Sequence, residues 1–78
     1  MSDQDTIAEI VSDVSPAIKI APDDYDKPLF DLGLDSLDHA TILLQVEEKF
    51  DVKIPDDRAD AMISVLAIAD FVAKNRKA

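Results

Sequence analysis

The 78 residues carry 8 basic and 17 acidic side chains, a net charge of −9, and no cysteine. That charge repels nucleic acid and anionic membranes, and without cysteine there is neither a disulfide staple nor a thiolate to act as nucleophile or metal ligand. The length suits one domain, residues 1–78, which buries only about 60% of the surface its unfolded chain exposes.

No apolar run approaches the ~20 residues that cross a bilayer, and the acidic N-terminus lacks the basic-then-apolar pattern of a signal peptide. A cytoplasmic monomer whose partners present basic patches is expected.

The first element is an amphipathic helix over residues 3–14, where Ile7, Ile10, Val11 and Val14 recur at i, i+3, i+4, i+7. Asp3, Asp5 and Glu9 suit its positive end, and Pro16 ends it by forcing Ser15 out of helical geometry. Residues 15–35 then hold Pro16, Pro22 and Pro28 and the acids Asp23, Asp24 and Asp26. Loops of this length are functional or disordered. Here Ile18, Ile20, Leu29, Phe30 and Leu32 give it apolar anchors, so an ordered loop is expected.

A second helix is predicted from Ser36 to Phe50, with Asp35 as N-cap and Asp38 completing an imperfect capping box. "DVKIP" reads as a short extended link, and "DDRADAM" as one or two helical turns with Ala59 and Met62 inward. Ser64 caps a last helix from Val65 to about Lys74, striped by Val65, Ile68, Ala69 and Val72, with Lys74, Arg76 and Lys77 at or past its negative end. No segment alternates like a strand. The fold class is all-α: a four-helix bundle of three long helices and one short one, with a long first loop.

The second helix has two apolar faces. With Ser36 at zero and ~100° per residue, Ile42, Leu43, Val46 and Phe50 fall within roughly 240–340°, the core side, and His39 near ~300° lies against it. Leu37 and Leu44 fall at ~80–100°, opposite, flanked by Glu47 and Glu48. That stripe is either a docking surface or a seat for the long loop.

Ser36 lies in "DLGLDSLDHA", just after Gly33, the chain's one glycine. A catalytic triad of Ser36, His39 and an aspartate would need an oriented base, an oxyanion hole and a dry cleft. Consecutive helical positions in so small a bundle offer none of these, so no catalytic residues are assigned. Counting from Asp31, calcium-loop positions six and twelve hold Ser36 and Ile42 instead of Gly and Glu, so no metal ligands are assigned either. A plain helix cap would account for the pair Asp35-Ser36, but not for the glycine before it or the second apolar face. Covalent modification accounts for more. A serine at a helix start stands clear, a phosphate ester there meets unpaired N–H groups and the positive dipole end, and a glycine just before permits the sharp turn.

The stretch "DLGLDSLDHATILLQVEEKFDVKIPDD" resembles the acyl carrier proteins, in which Leu-Gly-x-Asp-Ser-Leu surrounds the serine that receives 4′-phosphopantetheine from coenzyme A. The likeness extends over nearly the whole chain, with Glu47-Glu48-Lys49-Phe50 and Ile54-Pro55-Asp56 at the family's spacing. It implies a four-helix bundle armed at Ser36, with the arm's own thiol holding acyl chains as thioesters. It further implies an interior that shelters acyl cargo, lined by Phe30, Ile42, Val46, Ile54, Ala59, Met62 and Ile68. A docking surface of Asp35, Leu37, Asp38, Leu44, Glu47, Glu48 and Asp56 would meet basic patches on phosphopantetheinyl transferase and on acyl-chain synthases and transferases.

The resemblance leaves fatty-acid synthesis and a specialised lipid or polyketide pathway both open. His39, Thr41 and Gln45 occupy the middle of the second helix, where fatty-acid members often carry more carboxylates, and Leu34 stands where a small residue is common. An aminoacyl or peptidyl carrier, and an unmodified acidic helical adaptor, are the alternatives.

Overall fold

The computed structural model describes residues 2–75. Arg76 and Lys77, expected beyond the last helix, lie outside the described residues.

Helix α1 (Asp3–Val14) starts where Ser2 Oγ accepts the Asp5 N–H at 3.1 Å. It stops at Ser15, whose backbone leaves the helical region, as the following proline favours. Its stripe behaves as expected: Ile7, Ile10 and Val11 are buried and Val14 is partly so. Helix α2 (Ser36–Phe50) buries Ile42, Leu43 and Val46. It closes on Asp51, a non-glycine residue in the left-handed region at φ 55°. Aspartate tolerates that conformation better than most residues. Helix α3 (Asp56–Ala59) is a single turn. Helix α4 (Val65–Asn75) is capped as predicted by Ser64, whose Oγ accepts the Ala67 N–H at 3.1 Å, and it buries Val65, Ile68, Ala69 and Val72.

Helix α1 packs against both α4 and α2. The result is the expected bundle of three long helices and one short one, with no strand among the described residues. Ile7, Val11, Ile42, Val46, Ile68 and Val72 have no exposed surface and form its centre. Each such side chain contributes about 1.5–3 kcal/mol through burial, which is how so small a core outweighs chain entropy.

The long connection is ordered, and it contains two 3₁₀ turns, Pro22–Asp24 and Leu29–Leu32. Leu29 is fully buried, and its N–H donates to the Ile63 carbonyl at 2.6 Å. The Leu66 N–H donates to the Tyr25 carbonyl at 2.8 Å. The Tyr25 hydroxyl reaches Asp5 on α1 at 2.7 Å, which holds that carboxyl below its ordinary range and raises the phenol above its own. Ile18, Ile20 and Leu32 pack partly buried against the core. Phe30 departs from expectation. It follows the buried Leu29 in a tight turn, so its ring is directed outward and is 45% exposed.

Candidate functional site

Three residues bring the chain to Ser36. Gly33 closes the second 3₁₀ turn at φ 107°, a conformation that L side chains rarely adopt, and its N–H returns to the carbonyls of Leu29 and Phe30. Leu34 then dives into the core, 3% exposed, and ties back through its N–H to the Leu29 carbonyl at 3.3 Å. Asp35 is extended, and its Oδ1 accepts the Asp38 N–H at 2.9 Å while its carbonyl accepts the His39 N–H at 2.9 Å. This is the cap the sequence predicted.

Ser36 is therefore the first residue of α2, fixed from behind by a buried leucine and from ahead by a capped helical turn. Its side chain is exposed, and its hydroxyl makes no hydrogen bond to any described residue. The backbone N–H groups of Ser36 and Leu37 have no acceptor among the described residues either. A phosphodiester on Oγ fits here: it would sit at the positive end of a four-turn helix beside unclaimed donors. Burial of Leu34 also answers its departure from the family's small residue, since the larger side chain is spent on the core and leaves the serine's surroundings clear.

The second apolar face is open. Leu37 is 75% exposed and Leu44 57%, so the long connection does not cover them. Asp35, Glu48 and Asp56 are exposed and Asp38 half-exposed, and none has a cationic partner among the described residues. Glu47 differs from the rest. It is half-buried, and its Oε2 accepts the Ile54 N–H at 2.8 Å, so this carboxylate fastens the link after α2 as well as bordering the stripe.

Of the residues expected to line an acyl chamber, Ile42, Val46 and Ile68 are fully buried and Met62 is nearly so. Ile54 and Ala59 pack partly buried on the same cluster. Phe30 is not among them. Its exposed ring lies 5.4 Å from the His39 imidazole at 53°. His39 is half-buried, with Nε2 2.7 Å from the Met62 carbonyl, a contact across the bundle that helix periodicity alone does not reveal. Among the described residues, no group of three or more His, Cys, Asp or Glu side chains could hold a metal ion. No helix among them is long and apolar enough to cross a membrane.

An exposed serine thus opens a capped helix beside an exposed apolar stripe, and comparison with known proteins shows the family to which such a chain belongs. The family model described as "Phosphopantetheine attachment site" matches residues 5–72. An acyl carrier protein of Campylobacter curvus is 35% identical over 71 residues, which is 91% of this chain and 87% of the relative. One from Syntrophobacter fumaroxidans is 48% identical over 48 residues, 62% of this chain and 59% of the relative. The mitochondrial acyl carrier protein of Saccharomyces cerevisiae is 51% identical over 45 residues, 58% of this chain but only 36% of that longer protein. The chain belongs to the acyl carrier protein family, and its cofactor is covalently bound 4′-phosphopantetheine. When attached, that group supplies a terminal thiol, the thioester chemistry that a chain without cysteine lacks.

Proposed function

We propose that residues 1–78 form one carrier domain in which Ser36 receives the phosphopantetheine arm and presents acyl thioesters to partner enzymes of fatty-acid or specialised lipid or polyketide synthesis. One observation carries this reading: Ser36 is the exposed, hydrogen-bond-free hydroxyl at the mouth of α2, directly behind the Gly33 turn and the Asp35 cap. Other serines are occupied or elsewhere. Ser2 and Ser64 cap α1 and α4, and Ser12 Oγ lies 3.5 Å from the Ile18 carbonyl. The protein acts here as a carrier and not as a catalyst, as a monomer and in the cytoplasm.

In this reading the carboxylates around Leu37 and Leu44 steer partners that carry basic patches, and the leucines supply the apolar centre of contact. The Ile42–Val46–Met62–Ile68 interior shelters the acyl chain. The test is intact mass before and after incubation with coenzyme A and a phosphopantetheinyl transferase. Wild type should gain one phosphopantetheine mass, while Ser36→Ala stays helical by circular dichroism and gains none. Modification of the alanine variant would reassign the site, and an unmodified wild type would favour the acidic adaptor.

A further inference from the structure

The stretch from Ile54 to Met62 lies along α2 as a strap, and one side chain of α2 fastens it at each end. At the far end the Ile54 N–H donates to Glu47 Oε2 at 2.8 Å. At the end nearer Ser36, His39 Nε2 lies 2.7 Å from the Met62 carbonyl. A carbonyl can only accept, so Nε2 carries the proton. Between the fasteners runs a groove walled by Ala40, Leu43 and Leu44 of α2 and by Ile54, Asp56 and Ala59 of the strap.

Beyond these bonds the strap is tied by the partial packing of Ile54 and Ala59 on the core and, just past Met62, by the Leu29 N–H donating to the Ile63 carbonyl. Its single helical turn has no buried residue, and Asp56, Asp57, Arg58 and Asp60 all face solvent. The main helix packing joins α1 to α4 and α2. Met62, 3% exposed, is its one buried anchor, and the Met62 carbonyl is the atom His39 holds.

Beneath the strap, Ile42, Val46 and Ile68 are packed without exposed surface. Interiors are filled at crystal-like density, so a guest chain needs an element to move. The least-anchored element is the strap. We infer that His39 is a positioning residue for cargo: its bond to the Met62 carbonyl, with the Phe30 ring beside the imidazole, holds the strap closed and sets how readily the interior opens to an acyl chain. The inference rests on the carrier reading above, since it presupposes a sheltered chain. Lifting Met62 away from α2 parts its carbonyl from Nε2, so the bond exists in the empty state and not in the loaded one. An interaction made in only one of two states shifts the equilibrium toward that state.

The experiment compares melting temperatures of holo and octanoyl-loaded protein for wild type, His39→Ala and His39→Gln, with loading at Ser36 checked by mass. Loading should raise the melting temperature more in His39→Ala than in wild type, by about 4–8 °C, because the variant has no bond to break. His39→Gln keeps a donor at the same reach and should stay near wild type. A purely structural histidine would lower holo and loaded forms equally, and an unchanged increment overturns the inference. Should His39→Ala fail to fold, the imidazole ¹⁵N signals of wild type decide. Nε2 should shift on octanoyl loading and not on addition of the bare arm; a signal indifferent to cargo overturns the inference.

Methyl signals of Ile42, Val46 and Ile68 separate the two layers. If they respond to octanoyl while the increments stay equal, sheltering stands and the fastener falls. If they do not respond, both fall. No gain in mass overturns the attachment itself.

Discussion

The two irregular connections of this bundle are held in opposite ways. Residues 15–35 are bound into the frame by the buried Leu29 and by backbone hydrogen bonds from Leu29 to Ile63 and from Leu66 to Tyr25. Residues 51–64 keep Val52, Met62 and Ser64 buried and share the Leu29–Ile63 bond at their far end, but the stretch 54–62 is tied to α2 by side-chain bonds from Glu47 and His39. The longer connection is thus tied by backbone hydrogen bonds, and the turn of the shorter one by side chains. The longer one leads into Ser36, and on the proposed carrier reading a modifying enzyme needs that serine in one fixed place. The shorter one borders the apolar interior, where on the same reading room for cargo has to be made. Length says little about rigidity; what the backbone is bonded to says more.

The sharpest way to break this comparison is to remove the anchors. Leu29→Ala should cost about 2–5 kcal/mol, as should Val46→Ala, because both leave cavities in a filled core. Leu37→Ala and Leu44→Ala remove exposed surface and should stay within about 0.5 kcal/mol. Denaturant melts of the four variants check this. If Leu44→Ala melts as early as Val46→Ala, the stripe is core and partners dock elsewhere.

Gly33→Ala probes the longer connection without touching the core. The φ of 107° is hostile to a β-carbon, so a loss of about 1–3 kcal/mol is expected, although Ile18 Cδ1 at 3.5 Å leaves space for the atom itself. Transferase kinetics should slow as well, since the strain sits three residues before Ser36. An alanine variant as stable as wild type would show that the turn is not what positions the serine.

Charge separates the connections further. In the first, Asp24 pairs with Lys27 at 2.8 Å and accepts the Ala21 N–H, which holds its carboxyl below the ordinary range. In the second, Asp56, Asp57 and Asp60 have no cationic partner among the described residues. Millimolar magnesium or calcium should therefore raise the melting temperature by relieving repulsion in a chain of net charge −9. Amide shifts should be larger at 56–60 than at 23–26, and equal shifts would mean the salt bridge does not matter. Glu48→Lys should slow association with the transferase, with the wild-type rate falling as salt rises. Glu48 is the cleaner probe than Glu47, which also holds Ile54.

The smallest effect concerns pH. The hydroxyl of Tyr25 favours ionised Asp5, so this contact is present above the unfolded carboxyl pKa and is lost as pH falls through the lower folded one. For the raised Tyr25 phenol the sign reverses. Its contribution is present below the unfolded phenol pKa and lost as pH rises through the folded value. Carboxyl ¹³C titration should show Asp5 returning toward the ordinary range in Tyr25→Phe. An unchanged Asp5 midpoint would remove the tyrosine as the cause.

By itself the sequence determined the parts that depend on local periodicity and chemistry. The stripes of α1, α2 and α4, the Asp35 and Ser64 caps, the stop at Pro16 and the Gly33-Leu34-Asp35-Ser36-Leu37 motif are all short-range features, and each was legible because its cause lies within a turn or two of helix. Tertiary structure alone decided which of two neighbouring apolar residues turns inward. Leu29 is buried and Phe30 exposed because a tight turn can direct only one of them at the core. It likewise decided that Leu37 and Leu44 stay open, since the loop that could have covered them packs on the other side against α1 and α4. His39 and Glu47 make the same point most clearly. Their angles on the helix were readable, but their acceptor and donor lie on a strap that only the closed fold brings within 3 Å.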